Sequence, residues 1–162
     1  MAGAVEVGGN TTSDNAAKAE WWRKPPSQQT VEQIARAWVW EKKTYEHTDM
    51  PQDKYEDAAS GTDLVMDLLY HAPESALAVI DSVVEQSEGH EWVLSMLGAG
   101  PIEDLLRSEE FGDRFHDAFV ERVRASPNYR RAVQSVWAPS TPLPEELEEL
   151  VAWKCGDKGR RW

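Results

Sequence analysis

The chain has 162 residues, enough for one domain with a real core, and a formal net charge of -12 from 29 acidic and 17 basic residues. Phosphate recognition needs clustered Lys and Arg, so this balance argues against nucleic acid and anionic membrane surfaces as partners, and no apolar run approaches the ~20 residues that span a bilayer. Cys155 is the sole cysteine, which excludes an internal disulfide framework and fits a reducing, cytoplasmic setting.

Residues 1–28 are rich in Gly, Ala, Ser, Thr and Asn without any period, and the expectation is a disordered leader ending near Trp21 and Trp22. It has neither the basic region nor the apolar core of a secretory signal. Helix signals follow. Thr30 with Gln33 forms a capping box before Val31, Ile34, Ala35 and Trp38, which share one face. Residues 49–61 read as a polar loop. A second helix from near Thr62 carries Leu64, Val65, Leu68 and Leu69 inward and ends before Pro73.

The third helix, from Glu74, sets Leu77, Ile80 and Val84 in one stripe. Opposite them Glu74, Asp81, Glu85 and Glu88 fall within about 60° at ~100° per residue, an outward acidic ridge. A short helix from Glu91 to Leu97 is expected to stop at a left-handed Gly98. Pro101 then restarts a helix, with Glu103 and Asp104 in its first turn favouring the positive end. Phe111, Phe115 and Phe119, spaced by four, predict a further helix. Ser126-Pro127 opens the next, with Tyr129, Val133 and Val136 inward and Arg130 and Arg131 outward. Pro144 opens the last, with Leu147, Leu150 and Val151 against Glu145, Glu146, Glu148 and Glu149.

These elements predict an all-α fold: a compact bundle of about seven short helices, with solenoid-like stacking of helix pairs as the other arrangement open to them. The expected organisation is a leader at 1–28, one helical domain at 29–153 and a short basic tail at 154–162. Among the eight tryptophans, Trp38, Trp92 and Trp137 fall on apolar helix faces and are expected in the core. Trp40 points away from the Trp38 face and, with Trp21, Trp22 and Trp162, is a candidate contact residue.

The segment Leu97-Gly98-Ala99-Gly100-Pro101-Ile102-Glu103-Asp104-Leu105-Leu106 resembles the signature of a small uncharacterised bacterial family. Its members carry an early Trp-bearing helix, a Gly-Pro-(Ile/Leu)-Glu-Asp-Leu-Leu core, a helix ending in Arg and a closing apolar-Trp pair, here Val136-Trp137. The resemblance covers about residues 30–137 and implies a helical fold and a bacterial origin, with no reaction attached.

Between Tyr55 and Leu106 stand eleven carboxylates and no Lys or Arg. Charge of one sign in a folded segment speaks either to solubility or to a positively charged partner. Metal binding is the enzymatic alternative, since Asp63, Asp67 and His71 share one helix at spacings of four, and His116 follows Asp113 by three. Against it, there is no His-Glu-x-x-His, no paired Glu-x-x-His and no calcium loop. A nucleophile elbow is also absent, and Gly98-Ala99-Gly100 lacks the Lys-Ser/Thr of a phosphate loop.

No cofactor is expected. The sequence therefore points to a non-enzymatic protein–protein interaction module for a basic partner, immunity-like or inhibitory. Its candidate contacts are Glu74, Asp81, Glu85, Glu88, Glu103, Asp104 and Trp40. The alternatives are a metal-dependent hydrolase using Asp63, Asp67 and His71, and a structural subunit docked through the Trp-rich flanks.

Overall fold

Thr30 opens the first helix through its side chain. In the computed structural model, which describes residues 30–47, 60–137 and 142–151, the Thr30 hydroxyl accepts from the Gln33 amide. The Gln33 side chain in turn accepts from the Thr30 amide, a reciprocal cap. Helix α1 (Val31–Thr44) then buries Ile34, Ala35, Trp38 and Val39. The leader, the stretch 48–59 with Tyr55, and the tail with Trp153, Cys155 and Trp162 lie outside the described residues.

A second capping box opens α2 (Gly61–His71). Ser60 accepts from the Asp63 amide at 3.0 Å, and the Asp63 carboxylate accepts from the Ser60 amide at 3.1 Å. The helix thus begins at the end of the segment read as a loop. It approaches α1 closely, because a Cβ on Gly61 would lie 2.6 Å from the Trp38 amide nitrogen. Pro73, whose fixed φ suits a first helical position, starts α3 (Pro73–Gln86). Its buried face is wider than the expected stripe. Ala76, Val79, Ile80, Val83 and Val84 are buried while Leu77 is only partly covered, because α1 and α2 both pack against α3.

Gly98 does not end α4 (Glu91–Leu97) in the expected way. Its φ of -67° and ψ of -50° are right-handed helical, and the chain continues through a π-helical turn, Gly98–Ile102, into α5 (Glu103–Arg107). Pro101 is the reason. It has no N–H, and its ring would strike the carbonyl four residues earlier, so the widened turn relieves both problems. The Glu103 amide bonds back to the Gly98 carbonyl. Glu103 and Asp104 consequently do not sit at a free helix start. What Gly98 provides is room: a Cβ there would lie 1.8 Å from the Ala132 carbonyl oxygen.

Phe111 precedes the helix predicted to hold it. Ser108 closes a turn onto Phe111 and Gly112, a 3-10 turn covers Gly112–Phe115, and α6 runs His116–Ala125. Phe115 and Phe119 are buried. α7 (Pro127–Val133) buries Tyr129, Ala132 and Val133, and α8 (Glu145–Glu148) buries Leu147. Trp137 is 46% exposed, against the expectation of a core position. After Val133 the amides of Ser135 and Val136 bond three residues back, so the turn tightens; Val136 takes the buried place and Trp137 swings outward. Trp92 is partly covered, its ring centroid 4.2 Å from that of His47.

The described residues form an all-α arrangement without strands. One continuous apolar cluster joins α1, α2, α3, the π-turn, α6 and α7 and extends to Leu147 and Val151. Burial of each large side chain in it contributes about 2–3 kcal/mol.

Candidate functional site

Glu74, Asp81 and Glu85 lie on the side of α3 away from its buried face and Glu88 in the turn that follows it, and the four differ in surroundings. Glu74 meets Arg114 at 3.1 Å. Asp81 is tied into the fold. It accepts from Arg122 Nε at 2.6 Å and Nη2 at 2.7 Å, and from the buried Tyr129 hydroxyl. Arg122 also donates to the Ala118 carbonyl. One carboxylate therefore joins α3, α6 and α7. The hydrogen bonds from Arg122 to Asp81, working against desolvation, hold its guanidinium proton more tightly than usual. Burial, then the bond to Asp81, pushes the Tyr129 hydroxyl far above its ordinary range.

Glu85 and Glu88 have no ion pair among the described residues. They stand at the carboxyl end of α3, whose last turn holds no basic residue. Glu85 follows Asp81 by four positions on the helix, so these two acids neighbour one another. Glu88 adopts a left-handed φ of 51°.

Glu103 is doubly engaged: it pairs with Arg107 at 2.9 Å and accepts from the Trp137 amide at 2.8 Å. Its neighbour Asp104 lines a cleft of about 440 Å³ between α2, α5 and residues 108–111. Partial burial there, reinforced by Glu103 and offset in part by Arg107, raises the Asp104 carboxyl above the ordinary carboxylate value. Trp40 is partly buried and meets Tyr45 edge-on, with ring centroids 6.3 Å apart. The structure thus brings Glu74, Asp81 and Glu85 together on α3, whereas Glu88, expected on the same face, falls in the turn after its last residue with a left-handed φ. It brings Glu103 and Asp104 together beside a different surface, and Trp40 lies on α1.

Three arginines pair with acids distant in the chain. Arg122 takes Asp81, Arg131 takes Glu91, and Arg124 takes Glu146. Of the hydrolase candidates, Asp63 serves as a helix cap and Asp67 lies 3.6 Å from His71 on an exposed face. Among the described residues no group of three or more His, Cys, Asp or Glu side chains is placed to hold a metal ion.

Two features escape the sequence reading. Glu41 is fully buried: its carboxylate accepts from the Gly61 amide at 2.7 Å and from the Thr62 hydroxyl, which in turn accepts from Lys42. Its spacing from Ile34, Ala37 and Trp38 puts it on the buried face, and that was the available signal. Tyr70 is 76% exposed on the cleft wall, one turn from Met66.

None of the described helices is long and apolar enough to cross a membrane. A comparison with curated proteins and one with solved structures each gave no match. The sequence model of a family of unknown function, DUF6869, matches residues 47–147, more than half of the chain and inclusive of the π-turn, α3 and the cleft. The chain belongs to this family of unknown function, DUF6869.

Proposed function

We propose that this protein is a non-enzymatic recognition module that binds a basic protein partner through its acidic face, in an immunity-like or inhibitory role. The observation that carries this reading is the pair Glu85 and Glu88. Both carboxylates lack a counter-ion among the described residues; Glu85 lies in the last turn of α3 beside Asp81, where the helix dipole and a like charge disfavour it, and Glu88 stands just past that negative end. Glu88 adds a backbone conformation that an L-residue adopts at a cost. Side chains that weaken the fold locally and face outward are expected where a partner supplies the missing charge. Glu74 and Asp81, already neutralised by Arg114 and Arg122, frame that surface and set its geometry.

The test is affinity capture from a lysate of the source organism, comparing the native chain with the double variant Glu85→Lys, Glu88→Lys. The expected result is one basic protein retained by the native chain and released at a few hundred millimolar salt. The variant loses it while keeping its helical circular dichroism. Equal retention by both chains sinks the reading.

A further inference from the structure

The cleft between α2 and α5 has a composition that the acidic ridge does not explain. Met66, Leu69 and Tyr70 form one wall, and Phe111 closes the other. Its rim carries Asp104, Glu109 and Glu110, none of them in an ion pair of the described residues. One cation, Arg107, lines it, and Glu103 already holds that guanidinium at 2.9 Å. The rim is therefore short of positive charge beside an exposed aromatic ring.

We infer that this cleft is the anchor site for a short segment of the basic partner, taking an Arg or Lys side chain with an apolar neighbour. The inference rests on the proposed role in binding a basic protein and names the place where that protein is gripped. Charge complementarity selects the cation, because three carboxylates line the rim, none in an ion pair among the described residues, against the single Arg107 that Glu103 already holds. The Tyr70 ring offers its face to a guanidinium or ammonium group, while Met66, Leu69 and Phe111 cover the apolar side chain. A space of about 440 Å³ suits two or three side chains, as in small-ligand sites of about 300–1,000 Å³. Burial, then Glu103, raises the Asp104 carboxyl, and a cation placed beside it favours its ionised form.

The experiment titrates the isotopically labelled full chain with the peptide acetyl-Leu-Arg-Leu-Arg-amide, followed by amide chemical shifts. A control peptide replaces both Arg by Gln. The expected shifts cluster at Met66, Tyr70, Asp104 and Phe111 and are absent with the control. Tyr70→Ala and Asp104→Asn each weaken the Arg peptide about tenfold. The affinity falls on acidification, and Asp104→Asn removes part of that fall. Equal shifts with both peptides overturn charge recognition. Shifts confined to Glu85 and Glu88, with a silent cleft, overturn the anchor site and leave the ridge reading intact, as does no binding at millimolar peptide alongside loss of partner capture by the Glu85→Lys, Glu88→Lys variant. Cleft shifts together with capture that ignores the ridge reversals sink the ridge reading instead.

Discussion

Glu88 concentrates a conflict in one residue. Its φ of 51° brings its Cβ close to its own carbonyl oxygen, a strain of about 1–2 kcal/mol that glycine avoids. It also follows directly after the carboxyl end of α3, where a negative charge is disfavoured. Glu88→Gly is therefore expected to stabilise the chain by about 0.5–1 kcal/mol in urea denaturation, after the added unfolded-state entropy of glycine is subtracted. Tyr129 shows the opposite case, a polar group that the fold requires. Removing its hydroxyl leaves Asp81 one donor short, and Tyr129→Phe is expected to lower stability by about 1–2 kcal/mol. The pH dependence follows from its raised ionisation. Above about pH 10 the unfolded chain releases the Tyr129 proton while the native chain keeps it. Stability therefore falls as pH rises beyond that point, and the phenylalanine variant is expected to show a shallower alkaline decline in thermal melts.

At the scale of elements, the segment from Glu91 to Arg107 is helical throughout, and its π-turn has a use. The π-turn absorbs Pro101 between two helices, and Gly98 within it lets α7 approach to backbone contact. Two alanine substitutions separate these roles. Gly98→Ala forces a Cβ into the Ala132 carbonyl and is expected to cost about 3 kcal/mol or more, or to displace α7. Gly100→Ala meets nothing within 4 Å beyond its chain neighbours, but a Cβ on a helical residue directly before Pro101 is strained, so the gain from reduced unfolded-state freedom is offset and the change is expected to be small. Paired denaturation curves check both. Glu41 plays a comparable part between α1 and α2, where its carboxylate satisfies the Gly61 amide and the Thr62 hydroxyl.

At the scale of the whole molecule, the formal charge of -12 repels itself once the chain is compact. Screening should relieve that repulsion. The melting temperature is expected to rise between about 10 mM and 150 mM sodium chloride, as the Debye length falls from about 30 Å to 8 Å. Reversing Glu85 and Glu88 to lysine should flatten this dependence, because it removes four units of the excess negative charge. A salt-independent melt in the native chain counts against the repulsion and weakens the case that its acids await a partner.

The sequence by itself determined what depends on neighbours along the chain. The Thr30 and Ser126 caps, the helix opened by Pro127, the burial of Ile80, Val84, Phe119 and Val133, and the placement of Glu74, Asp81 and Glu85 on the side of α3 away from its core all follow from period and capping chemistry. An all-α fold follows from the same signals. Tertiary structure decided what depends on distant parts of the chain. Which arginine meets which acid was illegible, because Asp81 finds Arg122 across 41 residues and helix spacing ranks no such pair above another. The π-turn was hidden because Gly98 reads equally as a helix stop or as a close approach, and only α7 lying against it makes the second reading true. The cleft, with Tyr70 from α2 set beside Asp104 from α5, exists only once helices far apart in sequence are packed together, since local chemistry specifies elements and long-range contact composes sites.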